Sequence, residues 1–334
     1  MMRWIAAILL FTTCTSVAQD SKPFITYEGK NGPGKGKHIV LVSGDEEYRS
    51  EESLPMLARI LSEKHGFTCT VLFSIDPATG QVDANNQNNI PGLETLKNAD
   101  LLLIATRFRQ LPDAQMKFID DYLQQHKPVI GLRTATHAFA YKKGATGPYT
   151  RYSYDSKIKG WEDGFGKKIL GETWVAHHGV HGKEGTRAII NGIEQDAKNL
   201  VLNGVQNIWV PTDVYTVRQL DTTARVLLYG QSTNGMTADA PVNLDKSVMP
   251  VAWTKTYSLA KGKAGKAFTT TMGASVDLVN EDLRRLIVNA CYWATGLESS
   301  VPKKADVTIE GNYTPTMFGF DSFKKGKTPQ EYRQ

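Results

Sequence analysis

Three of the seven histidines in this 334-residue chain fall within one pentad, His177-His178-Gly179-Val180-His181. An imidazole can take or give a proton near neutral pH, donate to a developing oxyanion, or bind a divalent metal. On a helix His177 and His181 would share one face at i, i+4, which is how two histidines reach a single metal ion. Gly179 and Gly182 work against a helix, and no Glu lies inside the cluster as it does in the HExxH pattern. Asp213 is the nearby carboxylate with a strand-end position. Three readings of the pentad stay open: acid/base or hydrogen-bonding histidines, a divalent metal at His177 and His181, and a loop without chemistry.

Ligands of open α/β sheets gather beyond the carboxyl ends of the strands, so the residues after apolar runs come next. Asp45-Glu46-Glu47-Tyr48-Arg49 follows the first run, Arg107-Phe108-Arg109 the third, and Arg133-Thr134-Ala135-Thr136-His137 the fourth. Asp45, Arg107, Arg109, His137, His178 and His181 are therefore candidate substrate-binding residues. Residues 141–160 carry Tyr149, Tyr152 and Tyr154 and lead into Trp161-Glu162-Asp163. Rings beside carboxylates suit a sugar, whose C–H face is apolar and whose rim is polar, and Trp161 joins the candidates. The alternative for this segment is an ordinary surface loop.

Other chemistries are excluded. The turn after Gly131 holds Arg133 and Thr134 rather than a cysteine, and no GxSxG is present. Ser43-Gly44 is followed by acidic residues that would repel a pyrophosphate, so neither NAD nor ATP is expected. No cofactor is expected apart from the metal alternative.

The elements that must position these residues follow a βα rhythm. Residues 39–42, 67–73, 101–105 and 128–132 are short apolar runs, as strands buried on both faces should be. Between them, residues 50–64 place Leu54, Leu57, Ile60 and Leu61 on one helical face, 90–98 allow a short helix, and Pro112 opens a helix with Met116, Ile119, Tyr122 and Leu123 inward. This predicts an α/β, doubly wound, mostly parallel sheet. Residues 186–190, 208–210, 225–229, 250–257 and 267–272 read as further strands, several of them alternating and therefore antiparallel or at an edge, and 281–295 as a closing helix. The expected domain is 38–297, after a lead-in at 19–37. The tail 298–334, with Phe318-Gly319-Phe320, has no apolar period and is expected to pack poorly.

Thirty-nine Lys and Arg against 34 Asp and Glu give a net charge of +5 without clustering, so no electrostatic footprint for nucleic acid exists. Arg3, the apolar run 4–11 and Ser16-Val17-Ala18 predict an export signal cleaved after Ala18, placing the protein in the periplasm or outside the cell. A lipid anchor at Cys14 is the weaker alternative, because the residues before it lack the usual Leu and Gly or Ala. A span of ~30 Å takes about 20 apolar residues as helix, and no stretch reaches that length. Cys69 and Cys291 lie on apolar stripes and read as buried thiols, with a disulfide between them as the alternative. The oligomeric state is not encoded in any of these patterns.

Several segments together resemble the ThuA-like (trehalose utilisation) family over residues 38–297. They are Gly131-Leu132-Arg133-Thr134-Ala135-Thr136, Leu170-Gly171-Glu172-Thr173-Trp174-Val175-Ala176-His177, Asp213-Val214-Tyr215, Pro250-Val251-Ala252-Trp253, Thr271-Met272-Gly273 and Asn289-Ala290-Cys291-Tyr292-Trp293-Ala294-Thr295-Gly296. The resemblance implies a fold similar to class I glutamine amidotransferases, a link to disaccharides oxidised to keto-sugars, and no glutaminase activity. His177, Asp213 and Tyr215 match the family's pattern. Arg133, Val214 and Ala274 stand where the family commonly shows His, Glu and His.

A glycosidic bond beside a ketone can break by proton abstraction and elimination, which needs a base and an oxyanion partner rather than a carboxylate pair. The expected catalytic set is His177 as base, Arg133 as oxyanion partner and Tyr215 as acid, with Asp213. The expected ligand is a small carbohydrate. The alternative is a carbohydrate- or protein-binding module that kept the fold and lost the chemistry.

Overall fold

The structure, a computed structural model, describes residues 22–333; the expected export signal, Cys14 and the cleavage point lie outside them. Among the described residues ten strands form one mixed sheet, which makes this an α/β protein. The strands are β1 (Phe24–Tyr27), β2 (His38–Gly44), β3 (Thr68–Leu72), β4 (Leu101–Thr106), β5 (Val129–Leu132), β6 (Thr186–Ile190), β7 (Trp209–Val210), β8 (Arg225–Ser232), β9 (Met249–Tyr257) and β10 (Gly265–Thr270). Their spatial order is β1-β3-β2-β4-β5-β10-β9-β8-β6-β7. From β3 to β10 the neighbours are parallel, while β1 and the run from β9 to β7 are antiparallel. β10 joins the two halves.

Helices α1 (Ser50–His65) and α4 (Glu281–Ala294) cover one face, α2 (Asp113–Gln124) covers the other, and the single-turn α3 (Gly192–Asp196) follows β6. Ile39 and Leu41 of β2 pack with Leu54, Leu57, Leu283 and Ile287, whereas Val40 and Val42 pack with Met116, Ile119 and Leu123. Burial on both faces is why β2 reads as an unbroken apolar run. Gly66 ends α1 at φ 82°, a conformation that costs glycine little. Asn280 caps α4, its side chain accepting from Leu283 N at 2.9 Å. Cys69 and Cys291 are buried free thiols. Among the described residues no helix is long and apolar enough to cross a membrane.

Three expectations need correction. The lead-in is not featureless: Phe24–Tyr27 adds an antiparallel strand to β3, burying Ile25 and Tyr27 by simple alternation. The helix expected at 90–98 is only a 3₁₀ turn, Leu93–Asn98, because Pro91-Gly92 delays its start and Gly92 sits at φ 93°. The tail is not loosely packed either. Ala305, Val307 and Tyr332 are buried in the core shared with α1 and α4. Arg284 Nε donates to Val307 O and Arg285 Nε to Ala305 O, and His65 Nε2 lies 2.8 Å from Asp306 O. Single apolar side chains and buried arginines anchor this chain, and neither leaves a periodic trace in the sequence. The packed body therefore extends past residue 297.

Candidate functional site

The site is built beyond the carboxyl ends of β2 and β5, which flank β4, together with the loop after β7. At the end of β5 the chain turns sharply, and Arg133 adopts φ 44°, a left-handed conformation costing a non-glycine residue about 1–3 kcal/mol. Its side chain is 1% exposed and its contacts over-determine it. Nη1 donates to Asp213 O at 2.7 Å and Thr271 O at 2.8 Å, while Nη2 donates to Asp213 Oδ1 at 2.8 Å and Tyr48 Oη at 3.1 Å. The guanidinium also lies 3.8 Å from the centre of the Tyr215 ring and 4.6 Å from that of Tyr48.

The histidine pentad is held by backbone rather than by a helix. His178 N and Gly179 N both donate to Val214 O, Thr216 N donates to Ala176 O, and His177 bridges to Tyr215. A Cβ on Gly179 would come within 2.9 Å of Asp213 Cβ, so a glycine lets the loop lie this close. The result sets His177 Nδ1 2.7 Å from Asp213 Oδ2, with 32% of the imidazole side chain exposed. His181 places Nδ1 3.4 Å from Asp213 Oδ1 and Nε2 3.1 Å from Glu47 Oε1. The two imidazole centres are 4.8 Å apart.

Charges in this cluster are strongly biased. Burial alone would raise the Asp213 carboxyl, but Arg133 and the hydrogen bonds from His177 and His181 hold it well below the usual carboxylate range. The bond to Asp213 raises His181 above an ordinary histidine against the opposing effect of burial, with Glu47 adding to the rise. Burial pushes Glu47 up, opposed by Arg107 and His181. Burial lifts Tyr48 to about 12 and Tyr215 well above its ordinary value, each opposed by Arg133. Burial, helped by Arg107, Arg133 and His177, holds His137 well below its ordinary value, which favours the neutral ring.

An aromatic rim surrounds these groups. Trp174 lies 5.6 Å from His177 and 5.4 Å from His137, Phe108 lies 4.8 Å from His137 and 4.9 Å from Tyr154, and Phe318 lies 5.4 Å from both His181 and Tyr48, centre to centre. The indole Nε1 of Trp174 has no hydrogen-bond partner.

Over residues 38–294 the sequence matches the ThuA family, trehalose utilisation. The chain belongs to the ThuA family. Among solved structures, a ThuA-like protein of Parabacteroides merdae is similar at a TM-score of 0.50 and 14% identity, covering 90% of this chain and 100% of that one. A ThuA-like protein of Bacteroides uniformis matches at a TM-score of 0.47 and 12% identity, covering 80% of this chain and 95% of its own. No protein of curated function matches.

In this ThuA domain the expected site residues divide into three groups. His177, His181, Asp213, Arg133 and Tyr215 do converge, but Arg133 has no Nη hydrogen left for a ligand, and the Tyr215 hydroxyl is buried 3.5 Å from Tyr48 Oη. Arg107 and His137 border the rim: Arg107 pairs with Glu46 and Glu47, and the buried His137 lies 3.2 Å from Thr136 Oγ1. Asp45, Arg109, His178 and Trp161 do other work. Asp45 accepts from Glu47 N, Tyr48 N and Thr134 Oγ1, pinning two strand-end turns together. Arg109 is buried on Glu46 and the carbonyls of Arg107, Ala84 and Asn86. His178 Nε2 lies 2.8 Å from Ser247 O, and Trp161 packs on Tyr152 and Arg151.

Glu47, Tyr48, Trp174 and Phe318 reach the site without having been picked out as ligands. Glu47 and Tyr48 sit beside Asp45 in a strand-end pentapeptide, where sequence shows the location but not which side chain turns inward. Val214 and Ala274 are fully buried and bring no polar side chain.

A metal can be tested against this donor set. His177, His181 and Asp213 offer ligand atoms within 4.8 Å of one another, enough for three protein ligands of a catalytic divalent ion. The Arg133 guanidinium 2.8 Å from Asp213 Oδ1 sets a fixed positive charge beside that position, which favours hydrogen-bonded imidazoles over a cation.

Proposed function

We propose that this ThuA-family protein acts on an oxidised sugar, a keto-disaccharide, by histidine acid/base chemistry. The observation that carries the reading is the bond between Asp213 Oδ2 and His177 Nδ1, which leaves the other ring nitrogen of a part-exposed imidazole to accept a proton. His177 removes the proton from the carbon between the ketone and the glycosidic carbon, and the electron pair forms an enolate. The enolate then expels the glycosidic oxygen, breaking the C–O bond and forming a C=C bond, and His181 protonates the leaving oxygen. Arg133 fixes Asp213, so its role here is positioning. Trp174, its ring centre 5.6 Å from that of His177, walls the base on one side. The link to sugars rests on the family and on the aromatic rim, since rings take the C–H face of a pyranose.

The five parallel strands with helices on both faces support a doubly wound, amidotransferase-like core in this reading, without a glutaminase centre. Export after Ala18 places the substrate outside the cytoplasm.

The test is turnover of a 3-keto-disaccharide by the wild-type protein and by His177→Gln, with and without a chelator. Release of the second sugar by the wild type, its loss in the variant and indifference to the chelator support the reading. Loss on chelation points instead to a metal on His177, His181 and Asp213. Binding without turnover points to a carbohydrate-binding module, in keeping with the apolar Val214 and Ala274.

A further inference from the structure

The family match ends at residue 294, yet one wall of the site lies beyond it. Thr316 N and Oγ1 both donate to the carboxylate of Glu52, at 2.7 and 2.8 Å. Gly319 N donates to Glu47 O at 2.8 Å, and Gly319 O accepts from Arg49 Nη2. The segment 313–323 is thus tied down on both sides of Phe318, directly over the turn that carries Glu47 and Tyr48. Phe318 stands against His181 and Tyr48, each ring centre 5.4 Å away. Phe320 is 58% exposed, and the Arg107 guanidinium lies 5.1 Å from its ring and 4.6 Å from that of Phe108. Phe320 therefore presents an exposed ring beside the Arg107 guanidinium, on a backbone held at Gly319 from both sides.

We propose that this carboxy-terminal strap is a substrate wall: Phe318 and Phe320 take the apolar face of a pyranose ring and determine which sugar the site accepts. The proposal rests on the reading of His177 as the reacting base, because it is the neighbouring His181 that places Phe318 beside the chemistry. A pyranose suits the wall better than a lipid or an apolar peptide. The exposed ring alternates with a charged group, Arg107 on Glu46 and Glu47, so the surface offers one ring-sized apolar face beside polar partners for hydroxyls. Lying outside the region the family shares, the strap belongs to this chain's choice of substrate rather than to the common chemistry.

The experiment measures trehalose binding by calorimetry, and KM and kcat on 3-keto-trehalose, for the full chain and its Phe318→Leu and Phe320→Leu variants. Leucine keeps apolar bulk but removes the ring, and Phe320 is too exposed for its replacement to unfold the protein. Loss of stacking should raise Kd and KM about tenfold with kcat changed less than about threefold. Unchanged Kd and KM in both variants would overturn the wall, as would a wild-type protein that binds neither sugar. If the wild type binds trehalose through these rings but turns nothing over, the wall stands and the base reading falls. If turnover depends on His177 while both leucine variants bind normally, the base stands and the wall falls.

Discussion

Arg133 holds Asp213 twice, one guanidinium nitrogen on the backbone carbonyl at 2.7 Å and the other on the carboxylate at 2.8 Å. A single side chain thereby fixes both the position and the ionisation of the carboxylate that orients His177. Lysine at this position keeps the charge but has no planar fork to make both bonds. Arg133→Lys should destabilise the fold by about 3 kcal/mol, since it disrupts a buried ion pair, and should lower kcat by more than it raises KM. Thermal unfolding and steady-state kinetics check this; a variant with wild-type kcat would show that Asp213 needs no clamp.

His181 supplies a pH signature. Its hydrogen bond to Asp213 and the Glu47 charge raise it, and as the acid it must carry its proton. Activity should fall as pH rises through a value above the ordinary histidine range, and that alkaline limb should disappear in His181→Gln together with most of kcat. A pH–rate profile in which the variant keeps the limb would assign it to another group.

Glu51 gives a stability signature away from the chemistry. Its carboxyl is fully buried without a hydrogen-bond partner, and burial raises it from 4.5 to about 7, opposed by Arg49 at 3.7 Å. A carboxyl raised on folding contributes stability that is present below its unfolded value and is lost as pH rises through its folded value. Relative to Glu51→Gln, the wild type should therefore lose on the order of 3 kcal/mol between pH 4.5 and pH 8. Denaturant titrations of both proteins across that range decide it; parallel curves would show that Glu51 is solvated.

Removing the tail should unfold the protein rather than trim it. Ending the chain at residue 301 takes away buried Ala305, Val307, Phe323 and Tyr332, and leaves Arg284 and Arg285 without their carbonyl acceptors at residues 307 and 305. The truncated chain should be insoluble or lack a cooperative transition. An unchanged Tm would restore a boundary near 297.

Much of this fold is legible in the sequence, because buried parallel strands and amphipathic helices leave strong local patterns. Ile39 to Val42 and the stripe Leu283, Leu286, Ile287 and Ala290 are read from spacing alone and are buried as that spacing requires. The strap and β1 are not, since Val307, Phe318 and Tyr332 act singly and each depends on a surface made by distant residues. At the site, the convergence of His177, His181 and Asp213 is foreshadowed by the crowding of histidines and one strand-end carboxylate. The division of labour among the charged residues is not. Asp45, Arg109 and Arg133 look like ligands because they follow strands, yet each spends its polar atoms inside the protein. Burial, which decides between holding a site and touching a substrate, is a property of the assembled fold.

The central claim is that His177, oriented by Asp213, takes a proton from carbon. The most direct measurement is exchange of that proton with solvent deuterium, followed by NMR on a 3-keto-disaccharide in D₂O with chelator present. The wild type should exchange the hydrogen between the ketone and the glycosidic carbon, His177→Gln should not, and Asp213→Asn should exchange about 10²–10⁴-fold more slowly. Exchange persisting at the wild-type rate in His177→Gln, or vanishing from the wild type once metal is removed, would contradict the account.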